Sequence, residues 1–213
     1  MASGVYSPTF TRDDAEVTAV ETVYDGYFKM HKYAFRHRLF SGGWSEVIER
    51  ELFERGHAVA VLPYDPVSDR VVMVEQIRVG AMVAGQSSWQ LEIVAGVIDK
   101  GQTSEQVAYR EAEEEAGLQV ESLQKITRYM SSSGGCSESL DVYLGIVDAG
   151  KAEGIHGLPE EGEDILVHVL SREEAYKLVE NGTIENAASI IAIQWLQLHH
   201  QRLRENAKVI SGS

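Results

Sequence analysis

A single cysteine, Cys136, means that the chain cannot close an intrachain disulfide, as expected of a protein kept in a reducing compartment. No run comes near the roughly 20 apolar residues of a membrane span, and no basic-then-apolar leader opens the chain. Basic charge is scarce. Lys and Arg total 19 against 33 Asp and Glu, a net charge of −14. That balance argues against sequence-independent nucleic-acid binding, which depends on cations to neutralise phosphates. It is also the charge of an ordinary soluble surface, and it says little about a small anionic substrate, whose binding local cations or metals decide. Internal repeats and low-complexity tracts are absent too. The expectation is a cytoplasmic protein with neither membrane nor nucleic acid as partner.

The 213 residues suffice for one well-filled domain, or for a domain with a smaller attachment. Residues 1–14 are polar and read as an arm. VTAVETVY and YFKMHKYAFRHRLF alternate like strands of an antiparallel sheet, with Tyr33, Phe35, His37 and Leu39 on one face and Arg36 and Arg38 on the other. Such arginines are more often a solvated face than an anion site. HAVAVLPYD and VVMVEQIRV, joined by the turn-like DPVSDR, predict a buried hairpin, and WQLEIVAG predicts one further strand. Thr103 with Gln106 forms the pattern of a capping box opening a helix, which Gly117 closes. Strands are expected at 121–130, 140–147 and 165–170. Ser171 with Glu174 suggests a second box before EEAYKLVENG, and a last helix covers IENAASIIAIQWLQLHHQRL. This order predicts an α/β protein: an α/β/α sandwich around a mixed sheet at 56–205, a small N-terminal antiparallel β-sheet domain at 1–55, and a flexible tail at 206–213.

The helix after Gln102 poses an electrostatic problem. Glu111, Glu114 and Glu115 fall in about one 100° sector of the helix. Repulsion between them grows where the face is enclosed, and the macrodipole disfavours anions near a helix C-terminus. Ala108, Ala112 and Ala116 form a neighbouring strip suited to close packing. A solvated acidic face is the commonest meaning of such a run. It leaves unexplained the glycine-bounded loop before the helix and Arg110 beside the cluster. A hard divalent cation, which takes carboxylate and carbonyl oxygens, accounts for all three.

Gly96, Arg110-Glu111, Glu114-Glu115 and Gly117-Leu118 resemble the Nudix box, GX5EX7REUXEEXGU with U a bulky apolar residue, in register over residues 96–118. Gln102 departs at the first glutamate and Ala112 at an apolar position. ELFERGHAVAVLPYDP, VEQIRVGA, GIHGLPEEGEDI and ENAASIIAIQWLQLHH look like the bacterial ADP-ribose pyrophosphatase subgroup of Nudix hydrolases, so the likeness runs from about Glu21 to about His200.

The resemblance implies Mg²⁺, with Mn²⁺ as a substitute, held by Glu111, Glu115 and the Ala95 carbonyl. Glu114 and Glu163 are implied as additional ligands. Glu161 corresponds to the loop glutamate that serves the attacking water, with Glu115 also in the catalytic set. Arg78, Val97, Ser132, Ser133, Gly134 and Glu138 correspond to substrate contacts, and Ser133-Gly134 stands where the subgroup has Pro-Gly. Tyr27, Phe28, Arg50, Glu51 and Arg55 correspond to positions reaching the adenine across a homodimer interface, where an aromatic and an arginine both offer flat faces. Gly96, Gln102, Arg110 and Gly117 are structural in the box. Gln102 keeps an acceptor but no charge, so Arg110 is expected to have a weaker neutral bond there, or a compensating acid at Asp99 or Glu105. The implied activity is Mg²⁺-dependent hydrolysis of ADP-ribose to AMP and ribose 5-phosphate. The alternatives are a diphosphatase for another nucleoside diphosphate sugar or a dinucleotide, and a non-catalytic nucleotide-sensing module.

Overall fold

In the computed structural model the described residues run from 6 to 211, with side chains to 207. The chain divides into two compact units, one up to Gly56 together with Met130–Glu138, the other His57–Tyr129 together with the chain from Ser139. The return of 130–138 to the first unit had no counterpart in the sequence reading. Of the polar arm, residues 1–5 lie outside the described residues, and Arg12–Asp14 form a 3-10 turn capped by Thr11.

The first unit is an antiparallel sheet, β1 (Ala15–Asp25), β2 (Lys29–His37) and β3 (Ile48–Glu54), in the order β1-β2-β3. Strand β3 was not foreseen. The alternation expected in β2 sorts into no buried face, since Met30 to His37 are all half-buried. Arg36 pairs with Glu16, and Arg36 and Arg38 both lie over the Trp44 ring, so the Arg36 charge is met by a carboxylate.

The second unit is built on β4 (Ala58–Asp65) and β5 (Arg70–Ile77), the expected hairpin. These strands pair only next to their turn, at Tyr64–Val71 and Asp65–Arg70, and then part. The predicted strand WQLEIVAG divides at Ile93 because it fills the gap: β6 (Trp89–Glu92) pairs with β5 and β7 (Val94–Val97) with β4. A short helix, α1 (Val79–Val83), joins β5 to β6. Helix α2 (Ser104–Ala116) follows, then β8 (Ser122–Met130), β9 (Ser139–Ile146), β10 (Ile155–His156), β11 (Ile165–Ser171), α3 (Arg172–Glu180) and α4 (Ala187–Ser211). The sheet runs β10-β11-β5-β4-β9-β8 and is mixed, since β4 and β9 are parallel.

Strand periodicity loads both faces of this sheet. Val59, Val61, Val72 and Val74 pack toward Val107, Ala108 and Ala116 of α2. Ala60, Leu62, Tyr64 and Met73 pack toward Ala175 of α3 and Ala188, Ala192, Ile193 and Leu196 of α4. All of these side chains are fully buried or nearly so, and each large one contributes about 1.5–3 kcal/mol of burial. The result is the α/β/α sandwich that the sequence implies. Ser171 accepts from the Glu174 amide, which is the Ser171 half of the expected box. Helix α4 extends through the stretch expected to be a flexible tail as far as Ser211, while residues 212–213 lie outside the described residues. Among the described residues no helix is long and apolar enough to cross a membrane.

Candidate functional site

Helix α2 is fixed at both ends by its own sequence. The Thr103 side chain accepts from the Gln106 amide and Gln106 returns a bond to the Thr103 amide, while Gly117, at φ 63°, ends the helix in the left-handed region. Ala108, Ala112 and Ala116 are fully buried, which draws the helix close to the sheet. The glutamates on the adjoining sector are thereby enclosed. Glu115 is 2% exposed, Glu111 and Glu114 are partly buried, and Glu113, off that sector, is exposed.

Strand β7 receives two of these carboxylates. The Ala95 amide donates to Glu115 Oε2 at 3.0 Å, and Gln76 Nε2 lies 3.5 Å from Glu115 Oε1. Gly96 is where Glu111 meets the backbone: a Cβ at that position would lie 1.9 Å from Glu111 Oε1. Only glycine permits this approach.

Burial and crowding show in the protonation of the pair. Burial, with repulsion from Glu114 and Glu163 against the opposing pull of Arg110, pushes the Glu111 carboxyl up to about 7. Burial also pushes Glu115 up, to about 8, with Glu111 and Glu163 adding repulsion while the Ala95 amide and Arg78 act the other way. Arg110 thus leaves the pair short of positive charge. Its oxygens are hard donors of the kind a divalent cation takes, and a cation here would lower both values again. Among the described residues no three of His, Cys, Asp or Glu form a ready-made ligand set.

Arg110 finds its partners on its own helix. Its terminal nitrogens meet Glu111 Oε1 at 2.8 Å and Glu114 Oε2 at 2.6 Å. The expected bond from Gln102 and the suggested compensation by Asp99 or Glu105 are both replaced. The Gln102 side chain is exposed, and the Glu105 carboxylate is taken by Tyr143 and Ser104. The physical reason is proximity: Glu114, four positions along, shares the Arg110 face of the helix, and Glu111 is the next residue, so neither contact crosses a loop.

The loop before β11 is tied to α2. The Gly157 amide donates to the Glu114 carbonyl at 3.2 Å, and His156 packs so closely on Gly117 that a Cβ there would lie 2.6 Å from the ring. Glu163 accepts from the Leu158 amide at 3.0 Å and is near enough to raise both Glu111 and Glu115. Glu161, exposed, ends the 3-10 turn Pro159–Glu161. Arg78 sits at the start of α1 with Nε donating to Glu92 Oε2 at 2.8 Å, and Val97 closes β7, partly exposed.

The first unit gathers a second set. Phe28 lies edge-on to Tyr27 and to Phe53, and the Arg55 guanidinium lies 5.2 Å from the Phe28 ring centre. Arg55 Nε also meets Glu138 Oε1 at 3.1 Å. The Phe53 amide donates to the Gly135 carbonyl, which attaches the loop carrying Ser132, Ser133 and Gly134 to β3. Arg50 and Glu51 on β3 stand opposite Tyr33 and Lys32, outside this cluster. Sequence reasoning missed Glu92, Gln76 and Asn186. The signal for Asn186 was an asparagine directly before a helical run.

A family model described as "NUDIX domain" matches residues 54–206. The chain is 54% identical over 196 residues to the ADP-ribose pyrophosphatase of Escherichia coli K12, covering 92% of this chain and 94% of that one. It is 45% identical over 202 residues to the ADP-ribose pyrophosphatase of Haemophilus influenzae, with 93% of each covered. The GDP-mannose pyrophosphatase of Yersinia pestis is 33% identical over 181 residues, covering 84% and 89%. A solved structure described as an ADP compounds hydrolase matches with a TM-score of 0.65 at 21% identity, covering 90% of this chain and 97% of that one, and so shares the fold.

Proposed function

The chain belongs to the NUDIX family, and from that premise we propose that it hydrolyses the pyrophosphate bond of ADP-ribose to AMP and ribose 5-phosphate with Mg²⁺. The observation that carries this reading is the pair of buried Glu115 and partly buried Glu111, held against β7 at Ala95 and Gly96, in a chain 54% identical to an ADP-ribose pyrophosphatase.

Glu111, Glu115 and the Ala95 carbonyl are the residues that would hold the cation, with Glu114 and Glu163 in reserve, and Mn²⁺ would serve in place of Mg²⁺. When bound, such an ion supplies charge neutralisation for the pyrophosphate and acidifies water. Glu161 accepts the proton of the attacking water, a task suited to an exposed carboxylate on a loop. Arg78 offers its terminal nitrogens to a phosphate. Arg110 bridges Glu111 and Glu114 through its two terminal nitrogens. Phe28 with Tyr27 and Arg55 offers flat faces for adenine, Arg50 and Glu51 reach the adenine side across the dimer interface, and Ser132, Ser133, Gly134 and Glu138 meet the distal ribose.

The same proposal includes a homodimer in which the N-terminal sheet of one copy serves the site of the other. Its support is β1, exposed along its whole length with Val17, Val20, Val23 and Tyr24 among its side chains. A cytoplasmic setting fits the single, buried cysteine.

A second reading is favoured by Ser133 in place of the subgroup proline: a different nucleoside diphosphate sugar, of which GDP-mannose is the natural candidate. The test is a product assay with Mg²⁺ over ADP-ribose, GDP-mannose and other nucleoside diphosphates. Selective release of AMP and ribose 5-phosphate is expected. Faster turnover of GDP-mannose would move the substrate, and binding without turnover would replace the enzyme by a sensor.

A further inference from the structure

One carboxylate in the second unit is buried without touching the glutamate pair. Glu92, the last residue of β6, is 5% exposed. Its Oε2 accepts from Arg78 Nε at 2.8 Å and its Oε1 from Asn186 Nδ2 at 3.0 Å. Asn186 is held in turn, since its Oδ1 accepts from the Ser189 amide at 3.1 Å and caps the first turn of α4. The fully buried Ser189 then closes the arrangement, its hydroxyl accepting from the Ile93 amide at 3.0 Å. Ile93 is the residue at which the chain changes partner from β5 to β4.

Two things are thus fixed from one helix end. The first turn of α4 grips the β6–β7 junction, and two residues beyond that junction lies Ala95, whose amide holds Glu115. Through Glu92 the same turn grips Arg78, and it does so by Nε, the nitrogen furthest from the tip. An arginine held at Nε by a buried carboxylate presents a guanidinium whose plane is set while its terminal nitrogens stay available, the arrangement a bidentate phosphate contact needs. Arg78 remains partly exposed, with 42% of its side-chain surface accessible, so its tip is open to a ligand. A carboxylate as enclosed as Glu92 is costly unless both oxygens are occupied, and the two donors occupy both.

We infer that Glu92, braced by Asn186, is a positioning residue that sets the Arg78 guanidinium for a substrate phosphate and couples the start of α4 to substrate affinity. This rests on Arg78 being a substrate contact, and the test separates the two claims. Steady-state kinetics on wild type, Arg78→Ala, Glu92→Gln and the double variant should show KM for ADP-ribose raised about tenfold by Glu92→Gln, with kcat within about twofold, the loss expected when a charge-assisted bond becomes a neutral one. In the Arg78→Ala background Glu92→Gln should change KM no further. Arg78→Ala with an unaltered KM would remove the reading of Arg78. Arg78→Ala with a raised KM beside a Glu92→Gln with none would overturn the positioning role alone.

Asn186→Ser tests the brace and does not depend on the tolerance of position 92, because serine still caps the Ser189 amide but is too short to reach Glu92. It should raise KM in the same direction by a smaller factor. A readout independent of turnover is solvent exchange of the Arg78 Nε–H in ¹⁵N-arginine-labelled protein, identified by its loss in Arg78→Ala. Exchange should be slow in wild type and at least about tenfold faster in Glu92→Gln, following the weakened bond. Equal exchange rates would overturn the inference whatever the substrate proves to be.

Discussion

Strand β1 exposes all eleven of its residues, and β4 exposes none of its eight. Both carry valine, but β1 sets Val17, Val20 and Val23 among Glu16, Glu21, Asp25 and two threonines, whereas Asp65 is the one charged residue of β4. Layers complete the separation. Strand β4 lies between α2 on one face and α3 with α4 on the other, so Val59 and Leu62 each find a packed neighbour. Among the described residues the unit of β1, β2 and β3 has no α-helix, and no residue from Tyr6 to Gly56 is buried. Its visible ion pairs, Asp25–Lys29, Lys32–Glu49 and Glu16–Arg36, lie in solvent, where such pairs add too little to offset the ordering of the chain. A sheet in that condition is stable when something covers it. The buried unit, with apolar burial in surplus, can instead carry the strain of enclosing like charges.

The sharpest break in this comparison lies at Glu115. Changing Glu115→Gln should cut turnover on the order of a thousandfold or more, the scale of losing a principal electrostatic group. Stability should move the other way. Glu111 and Glu115 hold protons up to about 7 and about 8, above the ordinary value of 4.5, so they bind protons more tightly folded than unfolded. Metal-free wild type therefore loses stability as pH rises from about 4.5 through 8, and keeps it below that window. Melting curves in chelator from pH 5 to 9 should fall for wild type and flatten for Glu115→Gln, with about 2–4 °C gained at pH 8 per kcal/mol relieved. Parallel curves would mean that the pair costs the fold nothing.

Next in size is Gly96→Ala. Its Cβ would displace Glu111 from β7, and a shift of about 1 Å at such a group costs about a hundredfold in turnover, measurable with folding monitored by circular dichroism. On the exposed side, Val20→Glu asks whether β1 is covered. On a free strand it would change stability by no more than about 0.5 kcal/mol, whereas on a covered one it should separate the copies in sedimentation velocity. An unchanged sedimentation coefficient at the monomer mass would make β1 a free surface. The smallest effect is expected from Gln102→Glu. Arg110 already holds Glu111 and Glu114, so an exposed charge at 102 adds at most about 1 kcal/mol, or about fivefold in turnover. A hundredfold gain would show that the natural site is impaired.

The sequence revealed what local rules govern. Thr103, Gln106 and Gly117 bounded α2 to the residue, because capping is a matter of neighbours. The apolar runs HAVAVLPYD and VVMVEQIRV around the turn-like DPVSDR marked β4 and β5, and helical spacing put Glu111 and Glu115 in one sector of α2. What escaped needed partners far along the chain. The break at Ile93 follows from β4 and β5 parting, which nothing in WQLEIVAG reveals. The Glu92–Asn186 bond joins residues in β6 and at the start of α4, and Glu92 reads as an ordinary polar position in a strand. Strand β3 was missed since IERELFE has too little alternation to distinguish it from a loop. Arg110 was assigned to position 102 by a family habit, and the helix offered it nearer acids.

The parallel pairing of β4 with β9 has a consequence in time. Ala58 finds its partner at Leu140, so a strand whose one charged residue is Asp65 leaves the ribosome long before the strand that covers one of its edges. Non-local parallel pairs form late because loop closure precedes any gain from contact. Until then HAVAVLPYD is a bare β-forming segment without a charged residue before Asp65, the kind that self-associates between chains. Its early companion is β5, reached through a short turn, and that hairpin shields the strand during synthesis only where the two actually pair, at Tyr64 and Asp65. Yield in a cell should therefore depend on chaperone capacity and growth temperature more steeply than the stability of the finished fold would suggest.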